Sequence, residues 1–145
     1  MERQLGADMR VLTIGTFDPL HSGHLGLFRQ CRNLGGEKPH LTVGVNSDQF
    51  LAKYKKTTPQ LPHEARAEII QALEMVDDTI INWDDWAQPK VIENAHPDIL
   101  VVGQDWALKD YMQQLKITQA WLDKHNIQLA YVPRTGDWSS TAVKA

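Results

Sequence analysis

The chain has 145 residues, 42% hydrophobic and 23% charged, with 18 acidic against 15 basic side chains. That length supports one domain with a sizeable core, and a net charge of −3 argues against non-specific nucleic-acid binding. A single cysteine, Cys31, excludes an intramolecular disulfide and a cysteine zinc cluster. No apolar run approaches the ~18 residues of a membrane span. The start, "MERQLGADMR", has no apolar signal core, so a cytoplasmic protein is expected.

In chain order, "VLTIG" (11–15) reads as a buried strand ending in glycine. After a turn, a helix is predicted over 23–33, closed by Gly35 and Gly36. His24, Leu27, Phe28 and Cys31 share one face of it, and Cys31 is expected in the core. "LTVGV" (41–45) reads as a second strand. The polar, basic stretch 46–60 reads as loop, with room for a turn of helix. Pro62 then opens a helix, with Ala65, Ile69, Leu73 and Val76 at helical spacing. "DTIIN" (78–82) is a third strand, "AQPKVIENA" (87–95) a short helix and "DILVVG" (98–103) a fourth strand. One or two amphipathic helices cover 109–125, with Leu108, Tyr111, Met112 and Leu115 as one stripe and Ile117, Ala120, Trp121 and Lys124 as another. "IQLAYVP" (127–133) is a fifth strand, and "SSTAVKA" (139–145) a brief helix capped by Ser139.

Strands alternating with helices imply an α/β fold. The expectation is a doubly wound, five-stranded parallel sheet with helices on both faces, in a single domain over 1–145. Ligands of such sheets bind beyond the carboxyl ends of the strands. Four polar clusters follow four of the strands: 16–24, 53–56, 104–106 and 134–141. All four converge on one edge of the sheet.

The turn "GTFDPLHSGH" (15–24) aims a helix N-terminus at that edge, where unpaired amides and the helix dipole favour phosphate. Gly15 and Gly23 let the backbone approach a ligand. His21 and His24 are placed to donate to phosphate oxygens. Lys53, Lys55, Arg66 and Arg134 add positive charge, and Ser139, Ser140 and Thr141 open a second helix mouth. Two such mouths suit a triphosphate, and no nucleophilic triad is evident, so direct displacement is expected. Plainer readings compete. His24 on an apolar stripe also reads as a satisfied core histidine, and His21 as a solvated turn residue. A zinc pair lacks an evident third ligand. "KYKK" also reads as a solvated loop, and Arg66, one step off its stripe, as a surface ion pair. Trp83, Trp86 and Trp121 read as packing residues, whereas Trp106 and Trp138 fall at the ligand edge.

"GTFDPLHSGH" resembles the signature of the HxGH nucleotidylyltransferase superfamily, and "RTGDWSST" (134–141) resembles its second signature. "NSDQF", "HEAR", "INWDDW" and "VVGQDW" are most similar to the cytidylyltransferase branch, of the glycerol-3-phosphate type. The resemblance implies a Rossmann-like domain, Mg²⁺, and transfer of CMP from CTP to a phosphorylated alcohol such as glycerol 3-phosphate, with release of pyrophosphate. It implies catalytic roles for His21, His24, Lys53 and Arg66. Gly15, Thr16, Phe17, Asp18, Gly103, Asp105, Trp106, Arg134, Thr135, Ser139, Ser140 and Thr141 would hold the nucleotide, with Asp18 shaping the turn or approaching the metal. Lys53, Lys55 and Arg66 would hold the acceptor. No metal-ligating side chain is assigned, and a homodimer is compatible with the resemblance. Pro19, "WSST" and Gln104 differ from that branch; the first two resemble adenylyltransferases instead. ATP with a sugar-phosphate or cofactor-precursor acceptor is therefore an alternative, and a non-catalytic nucleotide-binding module is another.

Overall fold

The computed structural model describes residues 9–55, 58–83, 90–103 and 117–133, without the side chains of Tyr54 and Lys55. Five strands, β1 (Arg10–Gly15), β2 (His40–Asn46), β3 (Asp78–Asn82), β4 (Ile99–Gly103) and β5 (Gln128–Val132), form one sheet. Its order is β3-β2-β1-β4-β5, and every pairing is parallel. Among the described residues the helices are α1 (Ser22–Leu34), α2 (Asp48–Phe50), α3 (His63–Gln71), α4 (Lys90–Ala95) and α5 (Gln119–Lys124), with a π-helical turn at Leu51–Lys55.

Alternation along β1 divides the core in two. Val11 packs in a cluster with Phe28 and Cys31 of α1 and Ile70 of α3. Leu12 packs in another with Val91 and Ile92 of α4 and Leu122 of α5. Both faces of the sheet are thus covered, and this is why its central strands read as unbroken apolar runs. The chain winds outward from β1 to β3, then returns to β4 beside β1. The strand order reverses between β1 and β4, and in such sheets the ligand crevice lies at the carboxyl ends of the strands at this switch point. No helix among the described residues is long and apolar enough to cross a membrane.

The predicted strands and α1 are present with boundaries shifted by a residue or two, and Cys31 is fully buried. Four local expectations change. Pro62 is the N-cap of α3 and not its first helical residue. The inner face of α3 is His63, Arg66 and Ile70, while Ile69 is 45% exposed, so the helical part of the predicted stripe is off by one position; its Leu73 and Val76, beyond the helix end, do pack in the core. Apolar spacing misplaced it because the buried face carries an arginine. The stretch after β2 is more helical than a loop: Ser47 caps α2 by accepting from the Phe50 amide at 3.0 Å, and the π turn follows. Trp83 is not a packing residue; it is 61% exposed and meets His63 edge-on at 4.8 Å. Trp121 packs against the second cluster as expected. Trp86, Trp106, Trp138 and the stripe at 108–115 lie outside the described residues.

Candidate active site

β1 ends at Gly15, and the turn to α1 is bounded by His21, whose extended backbone makes it the N-cap. The two histidines build this cap reciprocally. His21 Nδ1 accepts from the Gly23 amide and His24 Nδ1 accepts from the His21 amide, both at 3.1 Å. This is the capping-box arrangement with imidazoles in place of the usual hydroxyl and carboxylate. The rings stack with centroids 3.7 Å apart. Because each Nδ1 accepts, the proton of each neutral ring is assigned to Nε2. Burial, and then the neighbouring His21, push His24 down to about 4, so it is neutral at neutral pH. His24 is half-buried with its ring edge-on to Phe17 at 5.0 Å, so it is not enclosed in the core.

Phe17 adopts a left-handed backbone (φ 55) with its ring buried against Phe28. A bulky residue in that region carries strain of about 1–3 kcal/mol, held by its surroundings. A side chain at Gly15 would place Cβ 2.8 Å from Phe17 Cζ. The space over Gly15, expected to admit a ligand, is therefore filled by the Phe17 ring. At Gly103, across the crevice on β4, an added Cβ would meet nothing within 4 Å.

Asp18 is buried, and its carboxylate accepts from the Gln60 amide (2.7 Å) and the Leu61 amide (3.2 Å). It ties the β1–α1 turn to the segment before α3. Arg66, expected on the surface or on a phosphate, is 1% exposed. Nε donates to Leu61 O, Nη1 to Thr16 O and Asn46 O, and Nη2 to Asp48 Oδ1, at 2.7–2.9 Å. Four of its five donors are thus taken by protein acceptors, which makes Arg66 a brace for the site and not a ligand in it. Lys53 is exposed on the π turn. The Lys55 side chain and Asp105, Trp106, Arg134, Thr135, Ser139, Ser140 and Thr141 lie outside the described residues. Pro133, just before Arg134, accepts from Gln30 Nε2 of α1 at 3.1 Å, which fastens the end of β5 to the helix that carries the histidines.

Sequence reasoning missed Asn46 and Asn82, which end β2 and β3. Asn82 Nδ2 donates to Asn46 Oδ1 at 2.9 Å, and Asn46 Nδ2 donates to Thr16 Oγ at 3.1 Å. The available signal was a polar residue closing each apolar run. His63 was missed too. Its Nδ1 accepts from the Asp48 amide at 3.0 Å and its Nε2 lies 3.0 Å from Glu64 Oε1. Asp48, His63 and Glu64 bring three metal-ligand atoms within 4.8 Å of one another. With His63 Nδ1 engaged and Arg66 on Asp48, this set fits a hydrogen-bonded brace better than a cation. Among the described residues no uncommitted carboxylate adjoins the histidine pair to hold Mg²⁺, since both Asp18 oxygens bind amides. A cavity of about 840 Å³ lies at the opposite, amino-terminal edge of the sheet, lined in part by Glu93, Asp98 and Asp123. Its acidity is unsuited to a triphosphate.

The parallel sheet, its switch point and the imidazole-capped helix mouth define a doubly wound, Rossmann-like α/β domain. Within that class the chain belongs to the cytidylyltransferase-like family of nucleotidyltransferases, whose model matches residues 12–145. It is 33% identical over 139 residues to the glycerol-3-phosphate cytidylyltransferase of Bacillus subtilis (strain 168), covering 93% of this chain and 94% of that protein. It is 30% identical over 135 residues to the FAD synthase of Korarchaeum cryptofilum, covering 92% and 88%. A lipopolysaccharide core biosynthesis protein from Thermoplasma volcanium shares the fold at a TM-score of 0.66 and 24% identity, over 88% of this chain and 98% of that one.

Proposed function

We propose that this protein transfers CMP from CTP to a phosphorylated alcohol such as glycerol 3-phosphate. The observation that carries the reading is the stacked, mutually capping histidine pair at the mouth of α1, beside the crevice between β1 and β4. An acceptor phosphate oxygen attacks the α-phosphorus of the nucleotide, which arrives as its Mg²⁺ complex. The new P–O bond forms as the α–β bridge breaks, and pyrophosphate leaves with the electron pair. The attacking phosphate is already largely ionised at neutral pH, with a second pKa of about 6, so no general base is needed. The work left to the protein is positioning and charge stabilisation. The Nε2–H groups of His21 and His24 and the Thr16–Phe17 backbone bind the phosphate oxygens, at the positive end of the α1 dipole. Lys53 reaches toward the acceptor phosphate, and Asp18 and Arg66 hold these parts in place. Arg134, Thr135, Ser139, Ser140 and Thr141 are assigned to the nucleotide on the resemblance of "RTGDWSST", as are Asp105 and Trp106, with Lys55 on the acceptor.

A second reading, AMP transfer from ATP, is favoured by the similarity to an FAD synthase, whose named product is an adenine dinucleotide. The test is pyrophosphate release by the purified protein with Mg²⁺ and each nucleoside triphosphate, against a panel of phosphorylated acceptors that includes glycerol 3-phosphate and flavin mononucleotide. Turnover of CTP with glycerol 3-phosphate supports the first reading. Turnover confined to ATP replaces it with the second. Nucleotide binding without turnover on any acceptor returns the protein to the non-catalytic module.

A further inference from the structure

β1, β2 and β3 end in register, with a row of polar side chains along their carboxyl edge. Asn46 pairs directly with Asn82 in the ladder, and Thr16 continues the register that sets Gly15 against Val45. Registered side chains of neighbouring parallel strands project to one face. Here they bond in a single direction. Asn82 Nδ2 donates to Asn46 Oδ1, and Asn46 Nδ2 donates to Thr16 Oγ. The two asparagines are buried, at 1% and 8% exposure, whereas Thr16 is half-buried at the crevice end of the row. Burying an amide pair costs desolvation that a valine or leucine would avoid. The pair has a directional use: with its oxygen occupied as an acceptor, the Thr16 hydroxyl turns its own hydrogen away from Asn46. Chained bonds of this kind polarise the last donor. That donor stands on the residue before the left-handed Phe17 turn.

We propose that Asn82, two strands away from β1, is a positioning residue of the nucleotide site. Through Asn46 it holds Thr16 Oγ as an acceptor, so that the Thr16 hydroxyl donates to a phosphate oxygen of the bound nucleotide. This rests on the nucleotidyl-transfer reading above. Arg66 braces the same three residues' edge through the main-chain carbonyls of Thr16 and Asn46, so the backbone is held separately from the side-chain row. Loss of Asn82 therefore frees the Thr16 hydroxyl without dismantling the turn.

The test is kcat and KM for the nucleotide, by pyrophosphate release, together with thermal midpoints, for Asn82→Ala, Asn82→Asp, Thr16→Val, Thr16→Ser and the double variant Asn82→Ala/Thr16→Val. Asn82→Ala and Thr16→Val are each expected to lower kcat/KM about tenfold, the size of one lost hydrogen bond to a charged group. The double variant is expected to be no worse than Thr16→Val alone, because both changes remove one contact. Asn82→Asp keeps the shape but cannot donate, so it shows the same loss; this variant guards against misfolding of the alanine form. Thr16→Ser retains the hydroxyl and is expected to lose less kcat/KM than Thr16→Val. Asn82 variants that lose thermal stability but keep kcat/KM within about twofold overturn the proposal, and so do losses that multiply in the double variant. Absence of turnover in the wild-type protein overturns the transfer reading and this proposal with it, and is seen before any variant is measured.

Discussion

Replacing Arg66 by methionine keeps a long apolar stem and removes every donor. The guanidinium joins four segments: Leu61 before α3, Thr16 after β1, Asn46 at the end of β2 and Asp48 at the start of α2. Three carbonyls and one carboxylate then lose this partner. Summing a separate penalty for each would overshoot, because carbonyls at a sheet edge recover bonds to water and the buried cation carried its own desolvation cost. Breaking a buried pair by removing one partner costs about 3–5 kcal/mol. For a domain of this size each kcal/mol moves the thermal midpoint by about 2–4 °C, so a fall of roughly 10–15 °C is expected. Arg66→Lys should lie between, since one ammonium cannot reach all four acceptors. Unfolding is followed by circular dichroism at fixed protein concentration, and pyrophosphate release is measured well below both midpoints. An Arg66→Met protein with an unchanged midpoint but a much higher KM for the acceptor would refute the reasoning. The guanidinium would then be a phosphate ligand, as its sequence setting implied.

Three further outcomes are expected. Gly15→Ala should destabilise by about 1–3 kcal/mol, because its methyl must displace the Phe17 ring from 2.8 Å; an unchanged urea midpoint counts against that contact. Acid should weaken the fold through His24. Its folded value, about 4, lies below the ordinary 6.5, so the unfolded chain takes up a proton that the fold resists; this contribution is constant above pH 6.5 and lost as pH falls from there toward 4. His24→Gln should flatten that part of the urea-midpoint profile while cutting turnover by about 10²–10³, and an equally steep profile in the variant defeats the assignment. Cys31, fully buried and with its thiol pushed up to about 12 by burial, should resist a maleimide at pH 8 until denaturant is added; rapid labelling of the native protein contradicts this.

What was legible in the sequence was local. The strands announced themselves as apolar runs because both faces of the sheet are covered, and α1 because Phe28 and Cys31 recur at helical spacing. The histidine pair was legible because a cap is built from residues three apart. The braces were not legible, because their partners are remote in the chain. Arg66 meets Thr16 across 50 positions, Asp18 meets Gln60 across 42, and Asn82 meets Asn46 across 36. Nothing in the spacing of "HEAR" shows that its arginine will be surrounded by carbonyls; apolar counting placed it outside for that reason. Gly15 was read as letting the backbone approach a ligand, but the neighbour that needs the space is Phe17, and its left-handed turn is a property of the folded chain.

These placements constrain how the site carries charge. Both imidazoles accept backbone amides at Nδ1, so protonating either ring there breaks a bond of the α1 cap. The cap that orients the His24 ring thus works with burial to hold it neutral, in agreement with its depressed value. Arg66, whose charge could have served the phosphates, is committed to carbonyls and to Asp48. On the transfer reading, the helix mouth offers the neutral His24 ring and a helix dipole, and formal positive charge is assigned to Lys53 and, by the resemblance of "RTGDWSST", to Arg134. Neutral donors bind phosphate less tightly than cations do. For a transfer reaction that is an advantage, because pyrophosphate, the most highly charged species formed, has to leave. The transition state gains from donors fixed in place before the substrate arrives, and the product gains no salt bridge from the histidines to hold it.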